Sequence, residues 1–251
     1  MTKKERGYLT ELYYFALSFF VYGFLGWCTE VAYAAAKQGK FVNRGFLNGP
    51  ICPVYGIGVG VVVQFLTPVE NNLVLLYISS TILVTVIEGI TGFLLEKIFH
   101  NKWWDYSEQP LNIGGYVCVL FSLIWGVFCV LIVKIIHPLI YKVLTMIPLV
   151  LGIVVMACLA VGLLADLYVT ASGILKMNRR LEAMEKIAAE LKELSDKVGE
   201  NIYENVMEGM EFREEKKARI EELKAKYEEM AENRTKVGER LVKAFPKMQV
   251  G

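Results

Sequence analysis

Histidine is nearly absent from this chain, with two residues in 251, and no Cys-x-x-Cys pair occurs among its five cysteines. His100 and His137 are far apart, so neither a zinc site nor a redox motif is expected. Cys28, Cys52, Cys118, Cys129 and Cys158 lie in or beside apolar segments, where free cysteine serves as a small apolar filler. No Gly-x4-Gly-Lys-[Ser/Thr] phosphate loop is present, so the chain has no nucleotide-binding engine of that kind. Net charge is also lacking, at +1 over the whole chain, and without a basic footprint nucleic acid is not an expected partner. No nucleophile or metal partner accompanies any acid. The expectation is a protein that is not an enzyme and uses no cofactor.

What the chain has is apolar length, since 55% of its residues are hydrophobic. About 20 apolar residues cross a bilayer, and segments near that length run over 12–36, 52–67, 73–96, 114–136 and 146–171. The second is short. The Lys-Lys-Glu-Arg start precedes a long segment with no small-residue cleavage site, which reads as a retained helix. Charge is segregated: 17 Lys+Arg and 17 Asp+Glu fall between Lys176 and Gly251. The expected fold is all-α, a polytopic membrane bundle of about five spans over 1–172 with a charged helical tail over 173–251.

An internal repeat runs through the apolar body. "GFLGWCTE" (Gly23–Glu30) and "GITGFLLE" (Gly89–Glu96) share Gly-x-x-Gly-aromatic-x-x-Glu. A basic, aromatic connection follows each and closes on Asn-x-Gly, at Asn43 and Asn112. Each connection then enters a segment with a cysteine and an aromatic-Gly pair. The glutamates are 66 positions apart and the asparagines 69. Duplicated helix pairs of this sort are common in transport proteins. Counting basic residues does not fix the topology. Five spans, and a version in which 52–67 dips in and returns, each place eight on the inner side and five outside. Equivalent repeats need equal orientation, which favours five spans, and both versions put the tail in the cytoplasm.

Glu30, Glu88, Glu96 and Asp166 lie in or at the ends of apolar segments, where a carboxylate must be paired, protonated or wet. Arg44 is the available cation. It sits in "NRGFLNGPICPVYGIGVG" (43–60), whose prolines and glycines break a plain helix and free backbone groups. Such backbone is tolerated only against protein or water. Glu30, Arg44 and Glu88, near Asn43 and Asn112, are the candidate substrate or polar-pathway residues; a structural ion pair that only fixes packing is the competing reading. For Glu96 and Asp166, near helix ends, a structural role is favoured. Gly56 and Gly60 form Gly-x-x-x-Gly, a close-approach motif. In "KWWDYSEQP", Trp103, Trp104 and Tyr106 read as interface anchors, with Asp105 placed to hold Lys102 or Arg44.

The tail is helical in pattern. Leu181, Met184, Ala188, Leu191 and Val198 approximate a heptad stripe, and Ile220, Leu223, Tyr227 and Met230 mark a second run. Glu182 with Lys186, and Glu222 with Lys226, are acid-to-base pairs four apart. Two readings stand equal: a docking or dimerising coiled coil over 173–245, and a helical hairpin that packs on itself.

"GWCTEV", "NRGFLNGPICPVYGIG", "TGFLLEKIF", "WWDYS" and "LNIGGYVCVLFSLIWG" together resemble the bacterial ABC-transporter permease family of type IV, the CmpB-like proteins, over about residues 12–136. The resemblance implies a multi-pass protein of the cytoplasmic membrane with a role in transport. Its ATPase would be a separate polypeptide. The alternative function is a membrane scaffold that recruits a partner, or a second copy, through its C-terminal helices.

Overall fold

A computed structural model describes residues 3–204, 210–232 and 235–245. They are helical almost throughout: α1 (Lys3–Gln38), α2 (Pro53–Leu66), α3 (Leu73–Phe99), α4 (Val119–Leu131), α5 (His137–Leu144), α6 (Leu149–Glu204), α7 (Met210–Glu232) and α8 (Lys236–Ala244). Two compact units result, Met1–Thr170 with Leu241–Gly251, and Ala171–Arg240.

Local chemistry sets the helix ends of the first unit. Gly39 adopts φ +65° and its N–H closes on Ala35 O, the left-handed stop that glycine supplies without strain. Pro53 opens α2 at a position where no N–H is needed. Asn72 caps α3 by accepting from Leu75 N. Between α4 and α5 the helix widens into a π turn, Ile132–Ile136, in which His137 N bonds Ile132 O. Pro138 follows directly and has no N–H for the regular ladder.

Four helices are long and apolar enough to cross a membrane: Leu9–Gln38, Leu73–Phe99, Val119–Leu144 and the apolar part of Leu149–Lys197. The second apolar segment forms a helix of 14 residues, about 21 Å and shorter than any of those four spans, followed by the 3-10 turn Thr67–Val69. The segment expected from residue 114 opens instead as a hairpin. β1 (Asn112–Ile113) pairs antiparallel with β2 (Val117–Cys118), and the helix starts only at Val119. Gly114 and Gly115 take positive φ in the turn and make that opening possible.

The repeat is visible in the packing. α1 packs on α2 and α3 on α4, with N-caps at Cys52 and Cys118. A Cβ on Gly60 would fall 2.8 Å from the Phe15 ring, and one on Gly126 would fall 2.1 Å from Thr81 Oγ1. Gly23 meets Ile51, and Gly89 meets Val117. In each comparison both partners are shifted by the same 66 positions as the glutamates. Gly56 adds to the first hairpin by lying against Phe19 O and its ring. Where the end of α2, the start of α3 and the π turn meet, Val62, Leu66, Leu76, Cys129 and Val133 form a core.

The connections that follow α1 and α3 both fold back along the helix they leave. Cys52 N bonds Gly23 O at 2.9 Å. Gly23 is fifteen residues before the end of α1, about 22 Å along the axis. Tyr106 reaches Glu88, eleven residues before the end of α3. The Gly/Pro-rich mouth of α2 is therefore backbone inserted among helices, and its polar groups need partners there. Asn43 supplies some: its Oδ1 accepts from Trp27 Nε1 and Gly45 N, and its Nδ2 donates to Leu47 O and Asn48 O. Asp166 on α6 supplies others, accepting from Asn48 N, Asn48 Nδ2 and Gly49 N, while Thr170 joins the same cluster. Asp166 thereby ties the connection to α6.

In the second unit the tail packs on itself. Arg219 of α7 binds Glu190 of α6 at 3.1 Å and Glu222 at 2.9 Å. The start of α8 lies on α6, where Gly173 meets Val237 and Gly238 meets Met177. Ile174, Met177, Ile187 and Leu223 are buried. The stripe on α6 thus runs through Ile187, while its neighbour Ala188 is exposed, because the larger side chain covers more apolar surface. Val198 lies outside the described side chains. Glu182 and Lys186 pair as expected, at 2.7 Å.

Candidate functional site

Glu30 lies on α1 one turn beyond Gly26 and Trp27. Gly26 has no side chain, and a Cβ there would fall 2.3 Å from the Tyr55 ring. That gap seats Tyr55 of α2 against α1, and its hydroxyl donates to Glu30 Oε1 at 2.9 Å. The other oxygen, Oε2, lies 3.3 Å from Arg44 Nε, with the two side chains 22% (Arg44) and 27% (Glu30) exposed. The Arg44 guanidinium also lies over the rings of Tyr33 and Phe245, at 5.0 and 5.3 Å. Ala244 packs with Ala34 and Val42 to hold Phe245 in place. Arg44 is thus fixed by one carboxylate and two ring faces, an environment suited to a planar, weakly hydrated cation.

Glu88 occupies the second hairpin. Tyr106 donates to its Oε1 at 3.1 Å, and the Trp125 side chain faces the same carboxylate from α4. Tyr106 is itself stacked on Phe121, with centroids 4.9 Å apart. Burial, with the charges of Glu88 and Glu30 nearby, holds the Tyr106 phenol above its ordinary range, so it remains a donor. Trp125 then reaches back to the first hairpin, its ring edge-on to Tyr55 at 6.4 Å. A continuous line follows: Arg44, Glu30, Tyr55, Trp125, Glu88, Tyr106.

Of the residues expected at a polar pathway, Glu30 and Arg44 are joined directly and Glu88 through two aromatic side chains. Asn43 and Asn112 serve their own loops. Asn112 Nδ2 donates to Ser107 O and Gln109 O, and its Oδ1 accepts from Gly115 N. Glu96 meets Lys102 at 3.9 Å, so each repeat glutamate pairs with a cation from its following connection. Asp105 holds neither Lys102 nor Arg44 in an ion pair; its Oδ1 accepts from Ser107 N and Ser107 Oγ. Two hydroxyl and amide donors next door compete better than a flexible cation with its own partner. Trp103 is 8% exposed and packs on Phe46 and Phe99 rather than anchoring at a surface. Trp104 donates to Tyr116 O. Sequence reading did not assign Tyr55 or Trp125 to the site. The available signal was the Tyr55-Gly56 and Trp125-Gly126 pairing of the repeat, but only the fold brings those two rings together.

Residues 17–171 match the family described as "Putative ABC-transporter type IV". The chain belongs to this family. No curated protein and no solved structure matches it. The family match runs from α1 into α6 and includes every residue of the polar line. The four long apolar helices and the family together make this a membrane protein related to ABC-transporter components.

Proposed function

We propose that the chain is a permease-like subunit of the cell membrane, with a polar passage along the line from Arg44 to Tyr106. The carrying observation is the continuity between Glu30 and Glu88 through Tyr55 and Trp125. Charged side chains at this depth are costly unless they serve packing or passage. A pair needed only for packing would not require a second acid linked to it across the hairpin boundary. The chain would draw its power from a separate ATPase subunit, since its sequence has no phosphate loop. The charged residues 173–245 are assigned to the cytoplasm by the distribution of basic residues.

Two measurements test this reading. Affinity purification of the tagged chain from native membranes in mild detergent is expected to recover an ATP-hydrolysing subunit; repeated recovery without one overturns the ABC assignment. Cells carrying Glu30→Gln or Arg44→Gln should insert the protein normally and show the intracellular metabolite profile of a deletion strain. Profiles equal to wild type in both variants would reject the passage.

A further inference from the structure

Glu30, Glu88 and Glu96 lie on the helices of the paired hairpins, and they are compensated differently. Glu30 has Arg44, and Glu96 has Lys102. Glu88 has the Tyr106 phenol as a donor and faces the Trp125 indole, both neutral, and it forms no ion pair among the described residues. Its Oε2 is buried and makes no hydrogen bond of good geometry, although Trp125 faces the carboxylate. An ionised carboxylate is an acceptor only and would leave that buried oxygen poorly served. A carboxylic acid would place a proton there. An uncompensated charge in an apolar interior is the costliest arrangement available, and protonation removes it.

We infer that Glu88 is a proton-binding site, a carboxyl that takes up and releases one proton between α3 and α4, whereas Glu30 is held in an ion pair with Arg44. This rests on the proposed passage for its purpose, but not for its geometry. On uptake, Oε2 gains the proton and the net charge of the cluster falls by one negative unit. On release, the Tyr106 hydroxyl remains as a donor to Oε1, and the Trp125 side chain still faces the carboxylate. The groups facing the cluster from each packed element are Tyr106 and Cys118 of the connection, Trp125 of α4, Tyr55 of α2 and Glu30 of α1. Glu30 is the nearest like charge among them, and Arg44 neutralises it. Tyr106 belongs to a connection with exposed polar neighbours, including Asp105 and Ser107.

Carbodiimide labelling of the full-length protein in membranes reads this directly, because the reagent attacks the neutral acid in an apolar setting. With dicyclohexylcarbodiimide, mass spectrometry is expected to find the adduct at Glu88 and not at Glu30 or Glu96. Adduct yield should fall at least severalfold as pH rises through the titration. Tyr106→Phe, which keeps the ring and removes a donor to the ionised form, should move that fall to higher pH. No adduct at Glu88, or a yield independent of pH, overturns the inference, as does labelling of Glu30 in preference to Glu88. The readout needs no cargo, so a failed passage and a failed proton site give separable results.

Discussion

The Tyr55 ring meets the Trp125 ring edge-on, with centroids 6.4 Å apart and planes at 75°. Tyr55 belongs to the hairpin that carries Glu30, and Trp125 to the hairpin that carries Glu88. Two acids remote in sequence are thereby parts of one polar line. Removing the Tyr55 hydroxyl should cost the line a link while the ring contact remains. Tyr55→Phe is expected to lower stability by about 1 kcal/mol, the usual net worth of such a hydrogen bond. Tyr55→Ala should cost about 3 kcal/mol or more by opening a cavity. Unfolding in detergent at fixed lipid content checks both.

Arg44 and Glu30 should behave as a coupled pair. Arg44→Gln leaves a partly buried carboxylate without its cation and is expected to destabilise more than the double variant Arg44→Gln/Glu30→Gln. A double-mutant cycle should give a coupling energy of about 1–2 kcal/mol. Arg44→Lys keeps charge but loses the flat face that lies over Tyr33 and Phe245, so it should recover only part of the loss.

Gly126 and Gly162 should respond oppositely to alanine. At Gly126 a Cβ would fall 2.1 Å from Thr81 Oγ1 and 3.2 Å from the Thr81 Cβ. Gly126→Ala is expected to cost about 1–3 kcal/mol by forcing α3 and α4 apart, and Thr81→Ala in the same chain should restore most of it. A Cβ at Gly162 would meet nothing within 4 Å beyond its own stretch of helix among the described residues. Gly162→Ala should be neutral or mildly stabilising through helix propensity. Thermal midpoints of the three variants decide the matter.

Asp105 gives the connection between α3 and α4 an acid sensitivity. Hydrogen bonds from the Ser107 hydroxyl, then from the Ser107 amide, hold its carboxyl below the ordinary aspartate range. A depressed carboxyl contributes order above the unfolded-state pKa, and that contribution is lost as pH falls through the lower folded-state value. The protection of the Ser107 amide against hydrogen exchange, relative to its intrinsic rate, should therefore fall as pH drops below the ordinary aspartate range. In Asp105→Asn that acid-linked change should vanish.

In the second unit, apolar burial should outweigh the visible ion pairs. Leu223 is 3% exposed, and Leu223→Ala is expected to cost about 2–4 kcal/mol. Arg219 is solvated along with Glu190 and Glu222. Arg219→Ala should leave the unfolding midpoint of the full chain almost unchanged. Circular dichroism melts compare the two.

Much of this architecture is legible from composition and spacing alone. Apolar runs fix the long helices because length and hydrophobicity are what a bilayer demands. The repeat fixes which glutamate corresponds to which, and the 66-residue offset reappears in the contacts of Gly60 and Gly126. The Glu30–Arg44 pair follows from the cost of charge in apolar surroundings, a rule that acts before any fold is known. Spacing could not show that the connections fold back along α1 and α3. That path depends on backbone groups finding partners across the bundle, as Cys52 N finds Gly23 O and Gly49 N finds Asp166. Nor could it assign Tyr55, Trp125 and Tyr106 to the acids, since each is an ordinary aromatic in its own segment. Their roles come from hydrogen bonds and ring contacts between elements distant in sequence, and such contacts exist only once the helices are packed.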